Sequence, residues 1–322
     1  MLTAYAKIHL QREMLASPLP DDPLVESYLL AYFPADVVAR YPAAVRAHRL
    51  RREIIAAEVA NALVDHMGVT FVSRIVHDTG AAVVGVLRAW AVGWRLGGGD
   101  ALAAAIAASA AAVDVESACR LALEASAERV TKWVLANTDA ERPAAGMVAD
   151  LGPAVAAIRG RLPDWVTGAE AETFHKRVSE LTIAGLPVEL ARDLATAEWL
   201  VGALDVVTVA RRTGTDPDAA GAAYYALGQH VDFGWVFARL AETAADDRWQ
   251  RRAAEGLVED LLRARRRLAC RRLEEPPGAL PERALGAVQA LIRDLRAAPR
   301  VSLAALQVVV REIRRLAEEG GD

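Results

Sequence analysis

Proline and glycine recur along this chain at intervals that leave room for helices and for little else. Between them lie mostly Ala, Leu, Arg and Glu, which lose little side-chain freedom in a helix. No segment alternates apolar and polar side chains as a half-buried strand does. The chain is therefore expected to be all-α: a multi-helix array of long and short helices in two packed helical subdomains.

The punctuation sets the expected boundaries. Ser17-Pro18 ends a first helix, and Asp21-Asp22-Pro23 opens the next, with carboxylates at the positive helix end and proline just inside. A long helix is predicted from about Pro42 to Met67, capped by Gly68. Shorter helices should follow to about Val113, with Asp114 capping a long one to Asn137. Residues 138–161 hold Pro143, Gly146, Gly152, Pro153 and Gly160 and read as an inter-domain break. Helices over about Gly168–Ile183, Val188–Thr196, Ala197–Arg212, Ala219–His230, Asp232–Ala245 and Arg248–Leu273 come next, Asp216-Pro217 opening the fourth. Glu274-Glu275-Pro276-Pro277-Gly278 is a second break, and Gly320-Gly321-Asp322 should fray. The expected division is residues 1–140, 141–275 and a tail of two helices over 276–322.

Composition excludes several classes. The net charge of -4 gives no global attraction to nucleic acid or to an anionic membrane. The longest uncharged apolar run, Ala101 to Val113, is shorter than the roughly 20 residues a spanning helix needs, and is expected to be a buried helix. The N-terminus carries charge early and lacks the apolar stretch of a signal peptide. Cys119 and Cys270 match no metal or redox spacing and read as reduced cytoplasmic thiols.

Catalytic signatures are not found. Gly97-Gly98-Gly99-Asp100 follows no strand, lacks a phosphate-loop fingerprint and reads as a flexible joint. His9, His48, His66, His77, His175 and His230 make no zinc spacing. His66 adjoins Asp65, but helix neighbours point about 100° apart and do not face each other. Asp246-Asp247 and Glu318-Glu319 read as helix-terminal or solvated charge.

Three features could carry interactions. His48-Arg49-Leu50-Arg51-Arg52-Glu53 sets three arginines in one predicted helical turn, with Arg49 and Arg52 on a shared face. Arginine forks bind carboxylate or phosphate in two-point geometry, so His48, Arg49, Arg51, Arg52 and Glu53 are the candidate docking residues. The run from Arg263 to Arg272 is basic, but acids surround it and no aromatic residue interleaves it, which disfavours nucleic acid. Of Trp90, Trp94, Trp133, Trp199, Trp235 and Trp249, most are expected in the core, with an interface role open to one or two. An internal echo also links Thr79-Gly80 and the following Ala89-to-Gly93 segment to Thr213-Gly214 and the following Tyr224-to-Gly228 segment, with a one-residue insertion; it reads either as a duplicated helical unit or as chance in an alanine-rich chain.

The order of local motifs is specific where each alone is weak. It runs Ala4-Tyr5-Ala6-Lys7, Leu15 to Pro23, Tyr32-Phe33-Pro34, His48 to Ile55, Ala60-Asn61, Gly68 to Val72 and Thr79-Gly80-Ala81. It continues with Thr131 to Asn137, Ala184 to Pro187, Ala203 to Val207 and Asp247 to Gln250. This succession resembles the C-terminal helical region of the large bacterial NAD-specific glutamate dehydrogenases over about residues 3–270; the last two helices resemble nothing nameable.

The resemblance implies a parent enzyme that oxidises L-glutamate to 2-oxoglutarate and ammonia with NAD, assembled as a cytoplasmic homo-oligomer in amino-acid catabolism. Its catalytic lysines, acid and dinucleotide-binding fold belong to a region outside this chain. No catalytic, cofactor-binding or metal residue is carried over, and no cofactor is expected here, NAD belonging to the parent. The expected partner is the catalytic domain of the same parent chain, with no nucleic acid or membrane. The alternative is an independent helical module that binds a protein or an effector.

Overall fold

The structure is a computed structural model and describes residues 2–139, 141–243, 247–274 and 282–318. Among these residues there are eighteen α-helices and no strand. In chain order they are α1 (Leu2–Leu15), α2 (Glu26–Tyr32), α3 (Ala35–Arg40), α4 (Pro42–Arg46), α5 (Arg51–Met67) and α6 (Phe71–Thr79). Next come α7 (Val83–Gly97), α8 (Gly99–Ala108), α9 (Val113–Asn137), α10 (Ala144–Trp165), α11 (Gly168–Ile183) and α12 (Val188–Glu198). The last are α13 (Leu200–Thr213), α14 (Pro217–Val231), α15 (Phe233–Thr243), α16 (Arg248–Glu274), α17 (Glu282–Ala297) and α18 (Leu303–Glu318).

Most stops and starts follow the residue chemistry. Gly80 and Gly98 end α6 and α7 in the left-handed conformation, at φ 72° and 69°, where a Cβ would be strained. Asp216 caps α14, its side chain accepting from the Asp218 N–H, with Pro217 at the first helical position.

Four expectations are corrected. The helix expected over Pro42–Met67 is two, parted at residues 47–50, where the His48 ring Nδ1 accepts from the Leu50 N–H at 3.2 Å. The break expected over 138–161 is largely helix α10. Its Met147, Leu151, Val155, Ile158 and Leu162 are all buried, a continuous apolar stripe at intervals of four, four, three and four residues. That burial outweighs the hydrogen bond Pro153 cannot donate. The alanine-rich run is not a buried helix: α8 stops at Ala108, and only Gly99, Leu102, Ala103 and Ile106 are buried on it. Asp114 lies inside the first turn of α9, not at its cap.

The chain divides into two compact units, residues 1–153 with 184–201, and residues 154–183 with 202–322. The expected cuts at 140/141 and 275/276 meet residues outside those described, where residues 275–278 of the proline-rich break and the fraying end also lie; Glu274 is the last residue of α16. In the first unit α7 packs on α9, and α1 on α5. Every residue of α7 from Ala89 to Trp94 is buried. In the second, α16 lies between α14 and α18, whose Leu306, Val309, Val310, Ile313 and Leu316 are buried.

The sequence echo is also structural. Each unit has a helix ending in Thr-Gly, a 15-residue helix ending before a left-handed residue, a short helix, and a long helix that packs back on the 15-residue one. These are α6–α9 and α13–α16. Both crossings sit at a glycine. A Cβ on Gly93 would lie 2.8 Å from Val130, and one on Gly228 would lie 2.8 Å from Glu170 and 3.5 Å from Arg265. Gly93 to Gly228 and Val130 to Arg265 are both separated by 135 residues (228 − 93 and 265 − 130).

No single helix among the described residues is long and apolar enough to cross a membrane. Helices α5 and α6 reach that length only together, bent by 85°.

Candidate functional site

Of the candidate docking residues, two are committed within the first unit. Arg51 donates to Asp21 at 3.0 Å. Arg52 donates to the other Asp21 oxygen and to the Leu15 and Ser17 carbonyls, at 3.1 and 2.9 Å. Together they clamp the chain reversal after α1 onto the start of α5. Arg49 precedes α5, so it does not share a helix face with Arg52 as expected; Arg49 and Glu53 are exposed. His48 is half-buried, its ring edge-on to Phe33 at 5.5 Å.

Asp22 completes this corner. It is buried and accepts from the Leu24 N–H at 2.9 Å, and from the Ala144 and Ala145 N–H groups at 2.6 and 2.9 Å. Those are free donors at the start of α10, where a carboxylate is favoured. Two sequence motifs, Leu15 to Pro23 and His48 to Ile55, therefore form one joint.

The Gly97-to-Asp100 segment is a tight joint, not a flexible one. A Cβ on Gly99 would lie 2.2 Å from the Trp94 ring, so only glycine lets α8 start there. The Trp94 indole donates to Asp100 at 2.7 Å, and His66 lies against the same indole at 4.5 Å. Burial lowers the His66 pKa below 6.5; Asp100 and Asp65 oppose that shift and Arg120 adds to it. Burial, then Asp100, raises the nearby Tyr28 hydroxyl. Asp65 turns away to pair with Lys7 at 2.9 Å.

Among the described residues, the second unit holds a buried polar cluster. Arg265 on α16 donates to both Glu170 oxygens, at 2.6 and 2.7 Å, and to the Tyr224 carbonyl at 3.0 Å. Its guanidinium lies 4.4, 4.8 and 5.2 Å from the rings of Tyr224, Tyr225 and Phe233, within cation–π range. The Tyr224 hydroxyl donates to Asp205 at 2.9 Å, and Arg266 pairs with the other Asp205 oxygen at 3.2 Å. Burial alone would lower the Arg265 pKa; Glu170 reverses this and holds it above its usual value. Burial, reinforced by Asp205, keeps Tyr224 protonated.

This cluster escaped the reading of residues 263–272 as one basic run. The available signal was spacing: Arg265 lies four residues after Leu261 and three before Leu268, both fully buried, and so shares their face. Three more arginines of the run also have partners within the chain. Arg263 pairs with Asp260, Arg267 with Glu318, and Arg271 donates to the Leu316 carbonyl.

Cys119 and Cys270 are buried and are not joined in a disulfide. Among the described residues no three of His, Cys, Asp and Glu are grouped to hold a metal. Asp247 caps α16 by accepting from the Trp249 N–H at 3.2 Å; Asp246 and Glu319 lie outside the described residues. Trp249 is 62% exposed, outside the core expected for most of the tryptophans, whereas Trp90, Trp94 and Trp133 are buried. A half-open groove of about 460 Å³ on the first unit is lined by His9, Leu10, Val72, Val76 and His77 among others.

Fold and polar clusters together define an all-helical region whose buried charges tie helix to helix. The chain matches the family described as "Glutamate dehydrogenase, C-terminal" over residues 1–315, and it belongs to that family. The match extends through α17 and most of α18, past residue 270, where the motif resemblance stopped. The chain is 30% identical over 271 residues to the NAD-specific glutamate dehydrogenase of Pseudomonas aeruginosa, covering 81% of this chain and 16% of that protein. It is 31% identical over 268 residues to the enzyme of the same name from Halomonas elongata, with the same coverage. It is 26% identical over 267 residues to that of Mycobacterium tuberculosis, covering 83% of this chain and 16% of that protein. The chain thus spans about a sixth of the length of these relatives.

Proposed function

We propose that this chain is the helical accessory region of an NAD-dependent glutamate dehydrogenase, which supports the catalytic domain, its closure or its assembly. The parent reaction would convert L-glutamate, NAD and water to 2-oxoglutarate, ammonia and NADH, in a cytoplasmic homo-oligomer. The observation that carries this reading is the family match over nearly the whole chain, aligned with only 16% of each bacterial relative. Hydride transfer needs a bound and oriented nicotinamide, which this reading assigns to the catalytic domain.

Reconstitution tests it. The catalytic segment of a full-length relative is expressed alone and assayed for glutamate-dependent NADH formation, with and without this chain. A higher rate or longer thermal lifetime, with co-elution of the two pieces, is the expected result. If the chain alone turned glutamate and NAD into NADH, the accessory reading would be wrong.

The docking surface needs a revised probe. Arg52 holds the first unit together, so charge reversal there would confound folding with docking. Arg49→Glu with Glu53→Lys alters only exposed members of the candidate set and should weaken co-elution while leaving the fold intact. Undiminished co-elution would remove this surface.

A further inference from the structure

The Arg265 crossing is more elaborate than a helix crossing requires. In the first unit the corresponding crossing is apolar, with Gly93 set against Val130. The second unit instead buries a guanidinium and a carboxylate, 2% and 4% exposed, and both must be taken out of water. The same helix order can be built without charge, so packing alone does not call for this pair.

The surroundings form a socket for a carboxylate. Arg265 presents a two-point fork, the geometry that recognises a carboxylate. Tyr224, Tyr225 and Phe233 wall the guanidinium. Gly228 and Gly234 make room for the occupant: a Cβ on the first would lie 2.8 Å from Glu170 Oε2, and on the second 3.0 Å from Glu170 Cγ.

The occupant is lightly held elsewhere. Glu170 lies in the first turn of α11, after Gly168 in the left-handed conformation at φ 58°. Beyond Glu170, only Phe174 and Leu181 are buried along this 16-residue helix. Few buried apolar side chains leave an element low on the scale of local stability.

We propose that the Arg265 socket is a carboxylate-binding site whose resident occupant is the chain's own Glu170. Helix α11 is then a strap, released when a free small carboxylate takes that place. This site does not depend on the accessory role. Propionate is the natural probe, being the Glu170 side chain from Cβ outward.

Hydrogen exchange on the whole wild-type chain compares sodium propionate with sodium chloride at equal ionic strength. Amides of residues 168–183 should exchange about tenfold faster in propionate, while those of α14 and α16 keep their rates. Equal α11 rates in the two salts would overturn the proposal. Glu170→Ala empties the socket, and propionate should raise its melting temperature more than chloride does. That difference should vanish in Glu170→Ala with Arg265→Met. Equal stabilisation of Glu170→Ala by the two salts would also overturn the proposal. Folding of that variant only in propionate would support it, and if it folds in neither salt the wild-type exchange rates decide.

Discussion

Arg265 and Glu170 form a two-point ion pair at 2.6 and 2.7 Å with both side chains almost wholly buried. Removing one member strands the other charge in a low-dielectric interior. Arg265→Met should cost about 3–5 kcal/mol, whereas Glu170→Met with Arg265→Met should cost far less, because no charge is left uncompensated. Urea unfolding of the three proteins at neutral pH measures this. If the double variant is as unstable as the single one, the pair is not the unit of stability described.

Gly93 and Val130 give a steric prediction in the first unit. Gly93→Ala places a Cβ 2.8 Å from Val130 Cγ1 and should cost about 1–3 kcal/mol by overpacking. Val130→Ala should recover part of that loss in the double variant. Gly160 in α10 has open space where a Cβ would sit, with nothing within 4 Å, so Gly160→Ala should stabilise by about 0.5–1 kcal/mol. Thermal melts decide both, and a harmless Gly93→Ala would contradict the close crossing.

Arg52 joins three acceptors across the turn after α1. Arg52→Ala should lose about 1–2 kcal/mol, because two carbonyls and a carboxylate lose a charged donor. Arg49→Ala, on an exposed side chain, should change stability by less than about 0.5 kcal/mol. Equal effects in chemical denaturation would mean that the Arg52 clamp is not formed in solution.

His66 provides a pH signature. Its folded pKa is lowered from 6.5, first by burial, so the unfolded chain binds the proton more readily. Stability should therefore fall as pH drops through 6.5 toward the folded value, and be retained above 6.5. His66→Gln should flatten this part of the curve. The check is melting temperature against pH between about 7 and 5; parallel curves for the two proteins would reject it.

Gly99 and Trp94 allow a local test. Gly99→Ala puts a methyl into the Trp94 ring and should disturb the indole–Asp100 bond as well as stability, by about 1–3 kcal/mol. Near-ultraviolet circular dichroism reports the tryptophan environment, and an unaltered spectrum would count against the tight joint.

The sequence by itself determined the helical class, because propensity and turn chemistry act within a few residues. Gly80, Gly98 and Asp216-Pro217 mark helix ends that side-chain and backbone rules recover from the string. The ordered motifs likewise pointed to the family that the comparisons established. The apolar stripe from Met147 to Leu162 was also legible, but local glycine and proline signals masked it.

Tertiary structure decided which charges are used, and on what. Nothing local tells Arg52 from Arg49, yet one clamps a turn and the other is exposed. Nothing local joins Glu170 to Arg265, 95 residues apart. Pairing of this kind depends on helices meeting at one point in space, and on the desolvation and geometry found there. Periodicity can mark a face as inward, as it does for Arg265 between Leu261 and Leu268, but only the packed helices supply the carboxylate that such a buried arginine requires.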